Sequence, residues 1–185
     1  RIPLLPPITG TVTLGQRIAM IGPNGIGKTT LFKTLLGEIT PIDGSFSYGS
    51  GVNPGYLSQE QEILDPGRTV LETIQKLPGM GNHTEARSFL HRFLFKGDEV
   101  FQPLDTLSFG QRSRLMLALL VADNCNFLLL DEPLNHLDLA SQEAFESALS
   151  NFEGTILAIA HDRYFIDRFA HLIWEFSSQG LSVEL

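Results

Sequence analysis

The chain has 185 residues, 43% of them apolar and 18% charged, a globular composition that excludes a disordered tail. Its formal charge is −8, from 13 Lys and Arg against 21 Asp and Glu, and a domain gripping nucleic acid mainly through its own surface would carry the opposite sign. The longest apolar run, residues 115–122, falls far short of the roughly 20 residues that a bilayer-spanning helix needs.

At roughly 150 residues per domain the chain is one domain, or one with an insert, and it is long enough to build a core without metal or disulfide staples. Cys125 is the single cysteine, so no internal disulfide forms, which fits a reducing, cytoplasmic setting. The first fifteen residues hold three prolines and no apolar helix, so no secretory leader is expected. The start lacks Met, and the chain is expected to be a fragment of a longer one.

In chain order, residues 11–14 and 17–21 read as short strands, followed at once by a glycine-rich turn. Residues 29–36 read as a helix with Gly37 as its left-handed terminator. Residues 45–48 and 56–58 look like further strands among the turn formers Pro41, Asp43, Gly44, Asn53 and Pro54. From about 59 to 125 the pattern turns helical, over 70–75, 84–93 and 111–122, and Leu115, Ala118, Leu119 and Ala122 mark one buried face of the last. Alternation then returns: strands at 127–130 and 155–160, helices at 141–149 and 162–168, and a hairpin of 171–176 with 181–184. Both apolar strands lack polar alternation, as parallel strands covered on two faces do. The expected fold is an α/β P-loop nucleotide-binding core, 1–58 and 126–185, with a mostly parallel sheet and a helical subdomain of about 59–125.

The strongest motif is Gly22-Pro23-Asn24-Gly25-Ile26-Gly27-Lys28-Thr29, with Thr30 behind it, which fits G-x-x-x-x-G-K-[ST] between a strand and a helix. Its glycines let successive backbone N–H groups turn toward a phosphate, and the helix N-terminus adds its dipole. Lys28 supplies a charge for the outer phosphates and the Thr29 hydroxyl a ligand for Mg²⁺. A second motif runs Phe127-Leu-Leu-Leu-Asp131-Glu132-Pro133. Standing alone, an acid pair after a strand is more often a solvated loop. Beside a phosphate loop, Asp131 is expected in the Mg²⁺ shell and Glu132 as the group that orients or deprotonates water.

Between these motifs stand Tyr56-Leu-Ser-Gln59 and Leu107-Ser108-Phe109-Gly110-Gln111, and after them Leu134-Asn-His-Leu-Asp138 and His161. In that order they resemble the Q-loop, signature, D-loop and switch histidine of an ABC-type ATPase. Asn135-His-Leu-Asp138, His161-Asp-Arg-Tyr-Phe-Ile166 and Arg87–Gly97 look like the ABC-F subfamily, soluble ABC proteins that act on ribosomes. The resemblance implies an Mg²⁺-dependent ATPase working with a second ABC domain, in the same full-length chain or a homodimer, closed head to tail over two ATP molecules. It implies that Ser108, Gly110 and Gln111 cap the phosphate of the opposite site, that Gln59 senses metal or water, that His161 contacts the γ-phosphate, and that Asp138 links the sites. This chain alone would then bind ATP and turn it over poorly.

Two positions depart from the family pattern: Phe109 stands where glycine is usual, and Leu134 where threonine is common. No aromatic residue precedes Phe32, so the base-stacking strand of the family is missing and ATP is not separated from GTP. The resemblance implies ribosome or rRNA contact through regions outside this chain and no direct membrane insertion. Two other functions fit the same motifs: the motor domain of an ABC membrane transporter, and an ABC module used as an ATP switch with little hydrolysis.

Overall fold

The computed structural model describes residues 8–58 and 67–184. They fall into two compact units. The first holds the described residues up to Tyr56, then Asn126–Pro133 and Gly154 onward; the second holds the described residues from Leu57 to Cys125 together with Leu134–Glu153.

The first unit is built on a sheet. Its strands are β1 (Arg17–Ile21), β2 (Pro54–Leu57), β3 (Phe127–Asp131), β4 (Thr155–Ile159), β5 (Leu172–Ser177) and β6 (Gly180–Glu184), in the order β2-β3-β4-β1-β5-β6. β3 pairs with β4, β4 with β1, and β1 with β5, all parallel, and the β5–β6 hairpin is antiparallel. All five residues of β3 and all five of β4 are buried, as their unbroken apolar runs require. Ile18, Met20, Leu129, Leu157, Ile159, Trp174 and Phe176 share one core cluster with Phe32, which projects from helix α1 (Lys28–Leu35). Gly37 follows α1 with φ 79°, the terminator expected there.

Two predicted strands do not form. Residues 11–14 end in a turn closed by side chains and loop backbone: the Thr13 N–H donates to Gln16 Oε1 at 2.8 Å, and the Gln16 N–H returns to the Thr13 carbonyl at 3.2 Å. Those local bonds take the place of a sheet ladder. Residues 45–48 are irregular, and Tyr48 attaches them to the sheet unit. The Tyr48 hydroxyl donates to the Leu35 carbonyl at 2.8 Å, and its ring meets Phe127 edge-on.

The second unit is helical, and side chains close its helix ends. Helices α2 (Val70–Gln75), α3 (His83–Arg92), α4 (Phe109–Ala122) and α5 (Leu139–Ser150) each begin at an N-cap whose side chain accepts a backbone N–H: Thr69, Asn82, Ser108 and Asp138. At the other end of α3, the buried Arg114 guanidinium donates to the Phe93 and Leu94 carbonyls at 3.2 and 2.9 Å and lies over the Phe95 ring. It thereby satisfies carbonyls that a helix C-terminus leaves without partners. The apolar stripe expected on α4 is partly redrawn. Leu115, Ala118 and Ala122 are buried, but Leu119 is half-buried while Leu117 is wholly enclosed. The buried arc also takes in Gly110, Ser113 and Arg114, so α4 is covered over a wider face than one stripe provides. The last helix, α6 (Arg163–Phe169), belongs to the sheet unit and starts from Asp162, whose carboxylate accepts the Phe165 N–H at 2.8 Å.

Candidate nucleotide-binding site

The sheet order puts the ends of β3, β4 and β1 side by side, and each end carries a motif. β1 runs straight into the loop from Gly22 to Gly27. Gly22 has φ 145°, and a Cβ there would lie 2.6 Å from the Phe176 carbonyl oxygen of β5, so only glycine lets the loop leave the sheet at this point. Gly27, with φ 109°, is the N-cap of α1 and offers no side chain to close the helix end. The first N–H groups of α1 therefore face outward without a side-chain cap, the arrangement that receives an anion.

Lys28 is 94% buried in this turn, its ammonium donating to the carbonyls of Gly22 at 2.6 Å and Pro23 at 3.1 Å. Burial lowers its pKa, and the nearby Glu132 and Asp131 carboxylates work against that shift. The lysine is thus parked on the loop's own backbone, within reach of whatever the loop encloses.

Asp131 ends β3 and is 4% exposed. Its carboxylate accepts from the Tyr56 hydroxyl at 3.1 Å and is hydrogen-bonded with the Thr29 side chain. Burial raises its pKa, while the bonds from Thr29 and Tyr56 hold it back toward the charged form. The same contact, with burial as the larger cause, pushes the Tyr56 phenol well above its ordinary value, so it serves as a donor. Tyr56 opens the 56–59 motif, yet nothing in sequence spacing places a residue 75 positions away against Asp131.

Glu132 adopts φ 49°, and its N–H donates to the Ile159 carbonyl of β4 at 3.0 Å. That left-handed residue turns the chain off the strand and sets the carboxylate 3.5 Å from His161 Nε2, beyond the end of β4. Glu132 and His161, 29 positions apart, thus share one edge with Asp131, Thr29 and Lys28. Among the described residues no three His, Cys, Asp or Glu side chains gather as a metal site. Two hard oxygen donors, Thr29 and Asp131, side by side under a phosphate loop fit Mg²⁺, which takes few protein ligands and completes its shell with phosphate and water.

Gln59 lies outside the described residues. Ser108, Gly110, Gln111 and Asp138 lie in the second unit. Ser108 and Gln111 form a reciprocal cap: the Gln111 N–H donates to Ser108 Oγ at 3.2 Å and the Ser108 N–H to Gln111 Oε1 at 3.0 Å. The Gln111 amide is fixed in turn by Gln102 Oε1 at 3.0 Å. Phe109, the departure from glycine, turns its ring edge-on to His136, with centroids 6.0 Å apart. Asp138 caps α5, accepting from the Ser141 N–H at 3.0 Å and the Ser141 hydroxyl at 2.8 Å.

Among the described residues no helix is long and apolar enough to cross a membrane. A family model described as "ABC transporter" matches residues 5–135. The chain is 48% identical over 97% of its length to the putative ATP-binding protein YdiF of Bacillus subtilis, 41% over 85% to the energy-dependent translational throttle protein EttA of Mycobacterium tuberculosis, and 37% over 89% to ABC transporter F family member 5 of Arabidopsis thaliana. It spans only 28%, 29% and 24% of those proteins' lengths. The fold is also that of a dimeric structure of MJ0796, a bacterial ABC transporter cassette, with a TM-score of 0.77 at 20% identity over 98% of this chain and 90% of that one. The chain belongs to the ABC family of P-loop ATPases, as a domain closely related to the ABC-F-like proteins.

Proposed function

We propose that this chain binds and hydrolyses ATP with Mg²⁺, that its sites are completed by head-to-tail pairing with a second ABC domain, and that the full-length protein acts in translation at the ribosome. The observation that carries the ATPase reading is the shared sheet edge: phosphate loop, Lys28, Thr29, Asp131, Glu132 and His161. Translation is supported by the kinship with EttA, itself named a translational throttle. Pairing is supported by the dimeric ABC cassette that shares the fold.

The loop amides of residues 22–30 surround the β- and γ-phosphates, and Lys28 leaves the Gly22 and Pro23 carbonyls for the phosphate oxygens. Thr29 and Asp131 hold Mg²⁺, which supplies charge neutralisation at the phosphates; the Tyr56 hydroxyl keeps one Asp131 oxygen occupied, which orients the carboxylate. Glu132 accepts a proton from water in line with the γ-phosphorus, and His161, 3.5 Å away, holds that carboxylate or the γ-phosphate. Gln59 reports on metal or water. Ser108, Gly110 and Gln111 cap the partner's phosphate from the start of α4, and Asp138 joins the two sites. Phosphoryl transfer depends mostly on positioning, so half-sites in a lone domain bind ATP but turn it over poorly.

The test is Glu132→Gln in the full-length protein. Loss of a general base is expected to lower hydrolysis on the order of 10²–10⁴-fold while ATP still binds, and the ATP-bound variant should sediment with ribosomes. Normal hydrolysis removes Glu132 from the chemistry. Recovery in membranes rather than with ribosomes moves the protein to the transporter class.

A further inference from the structure

The start of α4 and the start of α5 meet at one point. A Cβ on Gly110 would lie 2.5 Å from both Cβ and Oγ of Ser141, and 3.6 Å from a Leu137 methyl. Real Cβ atoms do not come that close to a neighbour, and Ser141 Cβ is fixed by its own backbone, so the two helices touch because residue 110 has no side chain. The Ser141 hydroxyl that fills this gap also donates to Asp138 Oδ2 at 2.8 Å, while the Ser141 N–H bonds Oδ1 at 3.0 Å. One residue before Gly110, the Phe109 ring abuts His136, which holds φ 64° in the loop that leads to Asp138.

We propose that Ser141 is a positioning residue that joins the first turn of α4 to the first turn of α5, so that Ser108–Gly110 and Asp138 are presented to a partner domain as one rigid piece. Its backbone and Cβ set the depth at which Gly110 lies, and its hydroxyl fixes the Asp138 carboxylate. The Phe109–His136 contact is a second strut, from the start of α4 to the loop that leads into α5, a use for the aromatic side chain that stands in place of glycine. Gly110 then has a reason for being glycine on the Ser141 side, separate from any approach to phosphate. Displacement of either helix start carries the other with it. The catalytic consequence rests on the reading of these helix starts as the cap of a partner's nucleotide; the mechanical link does not.

Four variants of the full-length protein separate these points: Gly110→Ala, Ser141→Gly, the two combined, and Ser141→Ala. Two quantities are measured, ATPase kinetics and hydrogen exchange at the amide of residue 141. Gly110→Ala is expected to speed exchange at 141 and to lower kcat by about 10²-fold, as a misplacement near 1 Å can, with KM for ATP little changed. Adding Ser141→Gly removes both obstructing atoms, slows exchange again and returns about tenfold in kcat, a coupling ordinary for touching residues. If the second substitution restores neither quantity, the added methyl acts elsewhere and the proposal is overturned. Ser141→Ala adds no bulk and covers the case in which Gly110→Ala does not fold: kcat falls with KM unchanged, and an unchanged kcat overturns the role given to the hydroxyl. If exchange follows the pattern while wild type hydrolyses no ATP, the link stands and the ATPase reading fails.

Discussion

The two units hold their acids in opposite ways. Asp131, at the end of β3 in the sheet unit, is 4% exposed, and burial raises its pKa. Asp138, before α5 in the helical unit, is exposed, and hydrogen bonds from the Ser141 backbone and side chain lower its pKa. The sheet unit builds its site from desolvated charges, each held by neutral hydrogen-bond partners: Lys28 on the loop carbonyls, Asp131 with Thr29 and Tyr56. The helical unit presents exposed groups whose orientation is set by caps. A desolvated site suits the tight hold of a charged ligand, because electrostatic interactions strengthen as water is excluded. A capped, exposed surface suits a site that a second molecule must complete.

Lys28→Ala should separate the two kinds of region most widely. Loss of a charged donor to phosphate is expected to weaken ATP binding by about 2–3 kcal/mol, roughly a hundredfold. Stability should change far less, because removing a desolvated charge offsets the loss of its bonds to Gly22 and Pro23. Calorimetry with Mg²⁺-ATP alongside thermal melting checks both. A variant that binds normally breaks the assignment of the loop. A variant that melts much lower makes Lys28 a structural lysine rather than a reserved one.

Ser108→Ala gives the opposite profile. It removes one half of the reciprocal cap on α4 and should lower stability by about 1 kcal/mol, within the usual cap range of 0.5–2, with ATP binding by a single domain unchanged. Denaturant titration reads the first quantity and calorimetry the second. If a lone domain loses ATP affinity in this variant, Ser108 serves the same domain's site and the contrast between the units fails.

The same contrast sorts what sequence alone reveals. β3 and β4 announce themselves because each is a continuous apolar run covered on both faces. The loop at 22–29 is legible because its spacing is dictated by phosphate geometry. Residues 45–48 misled because Tyr48 and Phe46 look like strand residues, yet that segment is anchored by Tyr48's ring and hydroxyl rather than by a backbone ladder. Strand order is also hidden. Only because β3 and β4 are parallel neighbours do Glu132 and His161, which follow their ends, come within 3.5 Å. Tyr56 and Ser141 escaped because their partners are 75 and 31 positions away, Asp131 and Gly110, and a hydroxyl at one strand or helix carries no local signature of what it meets.

The finest effect expected is a pH difference at Asp138. Hydrogen bonds to the charged carboxylate lower its pKa in the folded chain below the unfolded value of about 3.9. The unfolded state therefore binds the proton first, so the cap's contribution is fully present above that value and is lost as pH falls through the lower folded one. Asp138→Asn keeps an effective N-cap side chain but removes the titration. Melting temperatures of the two proteins, followed from pH 6 downward, should run parallel until about pH 4 and then converge as the wild type alone loses its ionised cap. The difference between the curves isolates this carboxylate from every other acid in the chain, since the rest titrate alike in both proteins. A constant gap would mean that the Ser141 bonds do not favour the ionised form. Asp138 would then be left as an exposed acid with no fixed orientation to offer a partner.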